Sequence, residues 1–382
     1  MRIFHLLNGL TCQHDVTFVT YGTDEDRRLL MDEFGERISK IIVVNHRSLY
    51  HKYPWLVLLY ALWKRQGYLS ASVRNVQMQK TINQLLNAEK YDAVLMEFPV
   101  MGQLQLPDHL IKILDEHNVE YYNLHRMYKR TQFSVRKFFF LRERNKMFLQ
   151  EINTCNRFDA IFVTSHKDRE ILQDQVDQKP LCVIPNGVDT TYFTPSGEKT
   201  EPYSMIFTGT MEYTPNRDAM VYFLDEIFPV VKRKIPEAKI YIVGKNPPRT
   251  LKRRAADDVI VTGYVDDVRP YASKAGVYVV PLRMGSGTRL KILEGLAMRK
   301  AIVTTTIGCE GLDVVDGEHV AIADDPARFA EKVIELLVNT QKNKKLADNG
   351  YKKVRSKYDW DVITSTMNEA LDSIFNEKFS SV

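Results

Sequence analysis

Val277-Tyr-Val-Val-Pro-Leu282 runs into Arg283-Met-Gly285-Ser286-Gly287-Thr288-Arg289 and then into Leu290-Lys291-Ile-Leu293-Glu294-Gly295-Leu-Ala297-Met298. The first piece has the near-continuous apolar, β-branched character of a strand buried on both faces. The glycines of the second allow a sharp turn and a close backbone approach to a ligand. In the third, Leu290, Leu293 and Ala297 recur at helical spacing and form a buried side, which leaves Lys291, Glu294, Gly295 and Met298 on another face. A strand feeding a helix through such a turn presents the unpaired N–H groups of the helix amino end, an anion site best suited to phosphate. A cation and a carboxylate project beside it, the carboxylate suited to sugar hydroxyls. The same two residues also fit a solvated i,i+3 pair, worth only roughly 0.2–0.5 kcal/mol. The turn matches neither GxGxxG nor the P-loop pattern.

Outward from this segment, strand-like runs alternate with helical patterns along most of the chain. One series comprises Val16–Tyr21, Ile41–Val44, Ala93–Met96, Leu110–Leu114, Ala160–Thr164 and Leu181–Ile184. After Pro185-Asn186-Gly187 a second comprises Met205–Thr208, Lys239–Val243, Val259–Thr262, Val277–Pro281, Ala301–Thr304 and Val320–Ala323. Helices such as Ala219–Lys232 and Phe329–Leu337 lie between them. The alternation predicts βαβ units with parallel sheets, hence two doubly wound α/β domains and a ligand cleft at the carboxyl ends of strands. The start differs: Arg2–Thr11 reads as a helix, with Ile3, Leu6, Leu7 and Leu10 on one face, and a first strand ahead of it is expected to be missing.

The 382 residues suit two or three domains at ~100–200 residues each. The 44% hydrophobic content is that of an ordinary globular protein, and a net charge of +5 is too weak to make nucleic acid the main partner. Cys12, Cys155, Cys182 and Cys309 are far apart and form no zinc or disulfide pattern, which fits a reducing cytoplasm. No secretory signal opens the chain, and the apolar run Trp55–Trp63 is shorter than the ~20 residues a membrane span needs.

Five segments together resemble the family 4 glycosyltransferases. Gly285–Met298, followed by Lys300-Ala-Ile-Val-Thr-Thr, is similar to that family's donor-binding segment. Ile184-Pro-Asn-Gly-Val-Asp189, with Phe193 and Pro195, is similar to its interdomain signature. Phe207-Thr-Gly209-Thr210-Met211 with Pro215–Ala219 resembles the opening of its second domain, and Val261–Val265 with Asp267–Tyr271 resembles the next turn. Asp115-Glu-His117-Asn-Val-Glu120 resembles its catalytic histidine segment.

The resemblance implies a GT-B architecture: Rossmann-like domains over 1–184 and 185–358, facing across a cleft, with a last helix over 359–382 packing back on the first. It implies a retaining transfer from a UDP- or GDP-sugar to a saccharide or lipid-linked acceptor, in cell-surface polysaccharide or glycoconjugate synthesis, with no metal or other cofactor. Glu294 would hold the ribose hydroxyls, and Gly285, Ser286, Gly287 and Thr288, with Arg289 or Lys291, would neutralise the diphosphate. Gly209 and Thr210 would border the donor, Gly263, Tyr264 and Val265 would meet the base, and His117 would contact the donor sugar. Such preorganised donors are what a developing diphosphate charge requires. The alternative is a degenerate relative that binds nucleotide or sugar without turnover. A solute-binding protein and a dinucleotide dehydrogenase are disfavoured by the absent signal and the absent GxGxxG.

Departures from the family pattern bear on the site. Ser286 stands where the family often has a first glutamate, and Thr210 where an arginine commonly follows the glycine, so the cation must be Arg289, Lys291 or Arg217. The strand and glycine-bearing loop usually preceding the first helix are also absent. Finally, Lys129-Arg130 and Arg136-Lys137-Phe138-Phe139-Phe140-Leu141-Arg142, with Arg144, Lys146 and Pro54–Arg65, form a basic, aromatic pair of stretches. They fit either docking on anionic lipid at the inner face of the membrane or a core with a solvated face.

Overall fold

The computed structural model describes residues 1–45, 54–63, 67–73, 76–130, 135–285 and 287–380. It divides into two compact units, Met1–Pro185 with Thr364–Val382, and Asn186–Ile363. The second crossover therefore falls inside the last helix, Trp360–Ser380, rather than at 358. Residues 359–363 stay with the second unit because they are tied to its first residues. Val188 bridges to Asp359, and Gly187 lies against Trp360 and Ile363.

In the first unit, strands β1 (Thr17–Gly22) and β2 (Lys40–Asn45) pair in parallel. A four-stranded parallel sheet follows, in the order β3 (Ala93–Glu97), β4 (Ile111–Glu116), β5 (Ala160–Val163) and β6 (Leu181–Val183). Among the described residues the two sheets are not hydrogen-bonded to one another but share a core: Val19, Tyr21, Ile42 and Val44 pack with Met96, Leu114, Ile161 and Val163. The helix Arg2–Thr11 comes first and buries Leu6 and Leu7, while Ile3 and Leu10 are half-buried. The helix Trp360–Ser380 reaches this unit through Thr364, packed on Gly9, through Asn368, which donates to the Gly9 carbonyl, and through Lys378, paired with Asp159.

The second unit is built on one six-stranded parallel sheet. Its strands are β7 (Ser204–Thr208), β8 (Lys239–Val243), β9 (Val259–Gly263), β10 (Val277–Val280), β11 (Ala301–Thr304) and β12 (Ala321–Ile322), in the order β12-β11-β10-β7-β8-β9. Every residue of β7, β10 and β11 is buried, as continuous apolar strands covered on both faces should be. The expected single helix Ala219–Lys232 is longer and interrupted. It starts at Thr214, passes through a π turn at Phe223–Ile227 and resumes over Phe228–Lys234. Pro229 has no N–H to donate, and an i→i+5 bond from Phe228 to the Phe223 carbonyl absorbs the irregularity.

Strand order reverses between β7 and β10: the chain winds outward through β8 and β9, then returns to the other side. Ligands of doubly wound sheets bind beyond the carboxyl ends of strands at such a switch point. That position is occupied here by Gly209 after β7 and by the glycine turn after β10.

Candidate functional site

A cavity of about 300 Å³ opens at this switch point. Its walls are Thr208, Gly209, Tyr213, Pro215 and Asn216 from the β7 side, and Leu282, Met284, Thr288, Arg289, Leu290, Lys291 and Glu294 from the β10 side. The helix Leu290–Ala297 turns its amino end to it, while Leu293, Leu296 and Ala297 sink into the core. Lys291 is no solvated partner of Glu294. Its Nζ donates to the Thr208 carbonyl at 2.9 Å and to Asn216 Oδ1 at 2.7 Å, and stands 4.1 Å from the centre of the Phe207 ring. Asn216 is held in turn by donating to the Thr210 carbonyl. Burial brings Lys291 down to about 7, against the pull of Glu294, and burial raises the Glu294 carboxyl against that of Lys291.

Arg289 is buried and donates to the Gly287 carbonyl at 2.8 Å, which closes the turn. Arg217, the third candidate cation, is exposed and lies outside the cavity wall. Ser286 lies outside the described residues. Gly263 ends β9, with φ +77°, at the same carboxyl edge, where its carbonyl accepts from Gly244. Neither it nor Tyr264, which is 71% exposed, nor Val265, packed on the core, lines the cavity.

The first unit carries a separate cluster of charged groups. Strand β4 extends two residues past the expected Leu114, so Asp115 and Glu116 are buried in the strand and His117 follows it directly. Parallel pairing sets Glu97, the last residue of β3, beside Asp115. His117 Nε2 lies 2.5 Å from Glu97 Oε2 and 3.4 Å from Asp115 Oδ2. Arg2 spans both oxygens of Asp115, at 2.7 and 2.8 Å, and also donates to the Ile184 and Pro185 carbonyls. Burial pulls His117 down, but hydrogen bonds to Asp115 and Glu97 outweigh it and hold the imidazole at about 8. Burial would raise Asp115, yet Arg2 and His117 keep it below the usual carboxylate range.

Sequence reasoning found His117, Glu294 and Lys291 but missed the groups that fix them. Asn216 stood in a quoted motif without a role, and Glu97 and Arg2 were not singled out. Only strand pairing, invisible in a linear pattern, brings Glu97 to a histidine 20 positions later.

Two family models match in succession: "Glycosyltransferase Family 4" over residues 70–192 and "Glycosyl transferases group 1" over 202–339. Together they take in more than half of the chain, which belongs to the family 4-like glycosyltransferases of the GT-B fold class. Among relatives, it is 25% identical over 183 residues to an uncharacterised 44.6 kDa protein in the cps region of Klebsiella pneumoniae, covering 46% of this chain and 45% of that one. It is 33% identical over 98 residues to an uncharacterised glycosyltransferase of Methanocaldococcus jannaschii, covering 25% and 27%. The chain thus spans less than half of either relative. Of solved structures, the Anabaena protein Alr3699/HepE in complex with UDP and glucose superposes with a TM-score of 0.66 at 13% identity, covering 97% and 95%. A glycosyltransferase from Rickettsia africae gives 0.66 at 12% identity, covering 97% and 94%. At such identities the likeness is one of fold.

Proposed function

We propose that the protein is a retaining glycosyltransferase that moves a sugar from a UDP- or GDP-sugar to a saccharide or lipid-linked acceptor, in the synthesis of a polysaccharide or glycoconjugate. The observation that carries this reading is the switch-point cavity, where Lys291, Arg289 and the glycine turn meet Glu294. Breaking a glycosyl–phosphate bond leaves negative charge on the diphosphate, and fixed cations and N–H donors stabilise it best where water is excluded. Lys291 and the turn take the diphosphate in this reading, and Glu294 takes the ribose hydroxyls. His117 is assigned to the donor sugar by the family resemblance. No catalytic metal is invoked, since the chain's own cations suffice for the leaving group. A UDP complex in a protein of the same fold agrees with the nucleotide.

Calorimetry with UDP and GDP tests the site. Glu294→Ala is expected to weaken nucleotide binding by about 1.5–3 kcal/mol, the worth of charged hydrogen bonds, and Lys291→Met to weaken UDP far more than uridine. Unchanged binding in Glu294→Ala would remove the assignment. Donor hydrolysis abolished by His117→Ala separates an enzyme from a mere binder.

The same reading places the enzyme in the cytoplasm, in peripheral contact with anionic lipid. Among the described residues no helix is long and apolar enough to cross a membrane. The helix Pro54–Trp63 leaves Trp55 and Leu59 exposed, and the helix Val135–Asn156 leaves Phe138 exposed while Phe140 is buried. Lys146 joins the two helices by donating to the Ala61 carbonyl. Lys64, Arg65, Arg130 and Arg136 of the basic stretches lie outside the described side chains. Co-sedimentation with vesicles of anionic lipid is expected and should be lost in Trp55→Ser with Phe138→Ser; binding retained by that double variant would discard the contact.

A further inference from the structure

The backbone between β3 and the following turn is strained where it meets His117. Phe98 has φ +70°, a region non-glycine residues rarely adopt and one that persists only when its surroundings hold it. Its N–H donates to the Asp115 carbonyl at 3.1 Å, and its ring lies on the imidazole of His117, 3.9 Å between centroids at 39°. The ring is still 39% exposed, so burial is not what holds it there. One residue earlier, Glu97 meets Nε2 from the edge at 2.5 Å. The main-chain carbonyl of His117 accepts from Thr164 at the end of β5. The histidine is thus fixed on a face, on an edge and at its backbone.

We propose that Glu97 and Phe98 are positioning residues for His117: Glu97 accepts the proton of Nε2 in a hydrogen bond, and Phe98 clamps the ring plane, so that Nδ1 is the nitrogen presented to substrate. This rests on the reading of His117 as a donor-site residue. The charged groups around the imidazole are Glu97 on β3, Asp115 on β4, Arg2 on the first helix and Glu120 at the start of the helix Glu120–Arg130. Arg2 occupies both oxygens of Asp115, which stands 3.4 Å from Nε2, whereas Glu97 meets Nε2 at 2.5 Å and is the nearer carboxylate. Glu97, Asp115 and His117 also lie close enough to hold a small cation. The guanidinium of Arg2 on Asp115 opposes a second positive charge there.

The test is an NMR pH titration of the full chain labelled at histidine nitrogen, with His117→Gln used to assign the signal. The wild type is expected to titrate near the 8 that its surroundings set, with Nε2 protonated in the neutral form. Glu97→Gln is expected to lower the midpoint part of the way toward the ordinary imidazole value of about 6.5, since Asp115 stays beside Nε2. Hydrolysis of the UDP- or GDP-sugar best used by the wild type should fall about ten- to a hundredfold in kcat, with little change in KM, as for loss of a carboxylate that orients a functional histidine. Phe98→Ala should lower kcat with a smaller change in midpoint. A midpoint unmoved in folded Glu97→Gln overturns the proposal, and so does a manganese or magnesium ion that shifts the His117 signals and restores the variant. If Glu97→Gln does not fold, Glu97→Asp takes its place. It retracts the carboxylate by one methylene and should lower the midpoint part of the way; no change overturns the proposal equally. Full hydrolysis in His117→Ala would instead remove the donor-site reading while leaving the titration result intact.

Discussion

At the scale of single residues, the cavity depends on a position that has no side chain. Gly209 has φ +150°, and a Cβ there would stand 2.7 Å from Asn216 Nδ2 and 2.9 Å from Lys291 Nζ. Gly209→Ala should therefore cost about 1–3 kcal/mol of stability from backbone strain and weaken UDP binding as well, readable in one melting and titration series. Lys291 offers a pH test. Burial holds it near 7, far below a free lysine, so it loses its proton as pH rises through 7. A diphosphate favours the charged form, so UDP affinity should fall between pH 6 and 9, and binding near neutrality should take up a proton. Calorimetry in buffers of different ionisation enthalpy measures that uptake, and Lys291→Arg, which stays charged, should abolish it. Lys291 was legible from its spacing to Glu294. Its inward direction was not, because a helical face names neighbours on the helix and not the Thr208 carbonyl 83 positions away.

At the scale of elements, the twelve strands among the described residues were all legible as apolar runs, and each formed within two residues of its expected ends. What periodicity could not show was the burial of acids inside β4. Glu116 is fully buried and faces Glu151, which accepts from the N–H groups of Glu120 and Tyr121 at 2.7 and 2.8 Å. Two such carboxyls hydrogen-bond only if one keeps its proton. Burial, reinforced by Glu151, raises Glu116 well above the usual range, and burial holds Glu151 at about 7. The folded state thus binds protons that the unfolded chain has released above about 4.3, and stability falls as pH rises through 7. His117, held above its unfolded value of about 6.5, acts in the same direction: its share is full below that value and is lost as pH rises through about 8. Glu116→Gln keeps a donor toward Glu151 without the titration. Its urea midpoint should change less between pH 5 and 8 than that of the wild type.

At the scale of the whole molecule, the switch between the two strand series was legible at Pro185-Asn186-Gly187, and the return of the last helix came only from the family resemblance. The structure supplies its physical reason. Met367 and Leu371 are buried, Lys378 pairs with Asp159, and Phe375 lies near His14. Met367→Ala should cost about 2–5 kcal/mol, and limited proteolysis should show the loss in peptides of residues 1–185 before those of 186–363.

The route of the chain has another consequence. It leaves the first unit after Pro185 and re-enters it at Thr364. Just inside the second unit the outgoing and incoming segments are tied: the Val188 N–H donates to the Tyr358 carbonyl at 2.8 Å, and Thr190 is hydrogen-bonded to Asp359. The second unit is therefore a domain inserted into another, closed at its own base, and the switch-point cavity lies wholly within the insert. A single pair of splice points, at 185/186 and 363/364, would separate the two units without cutting either sheet.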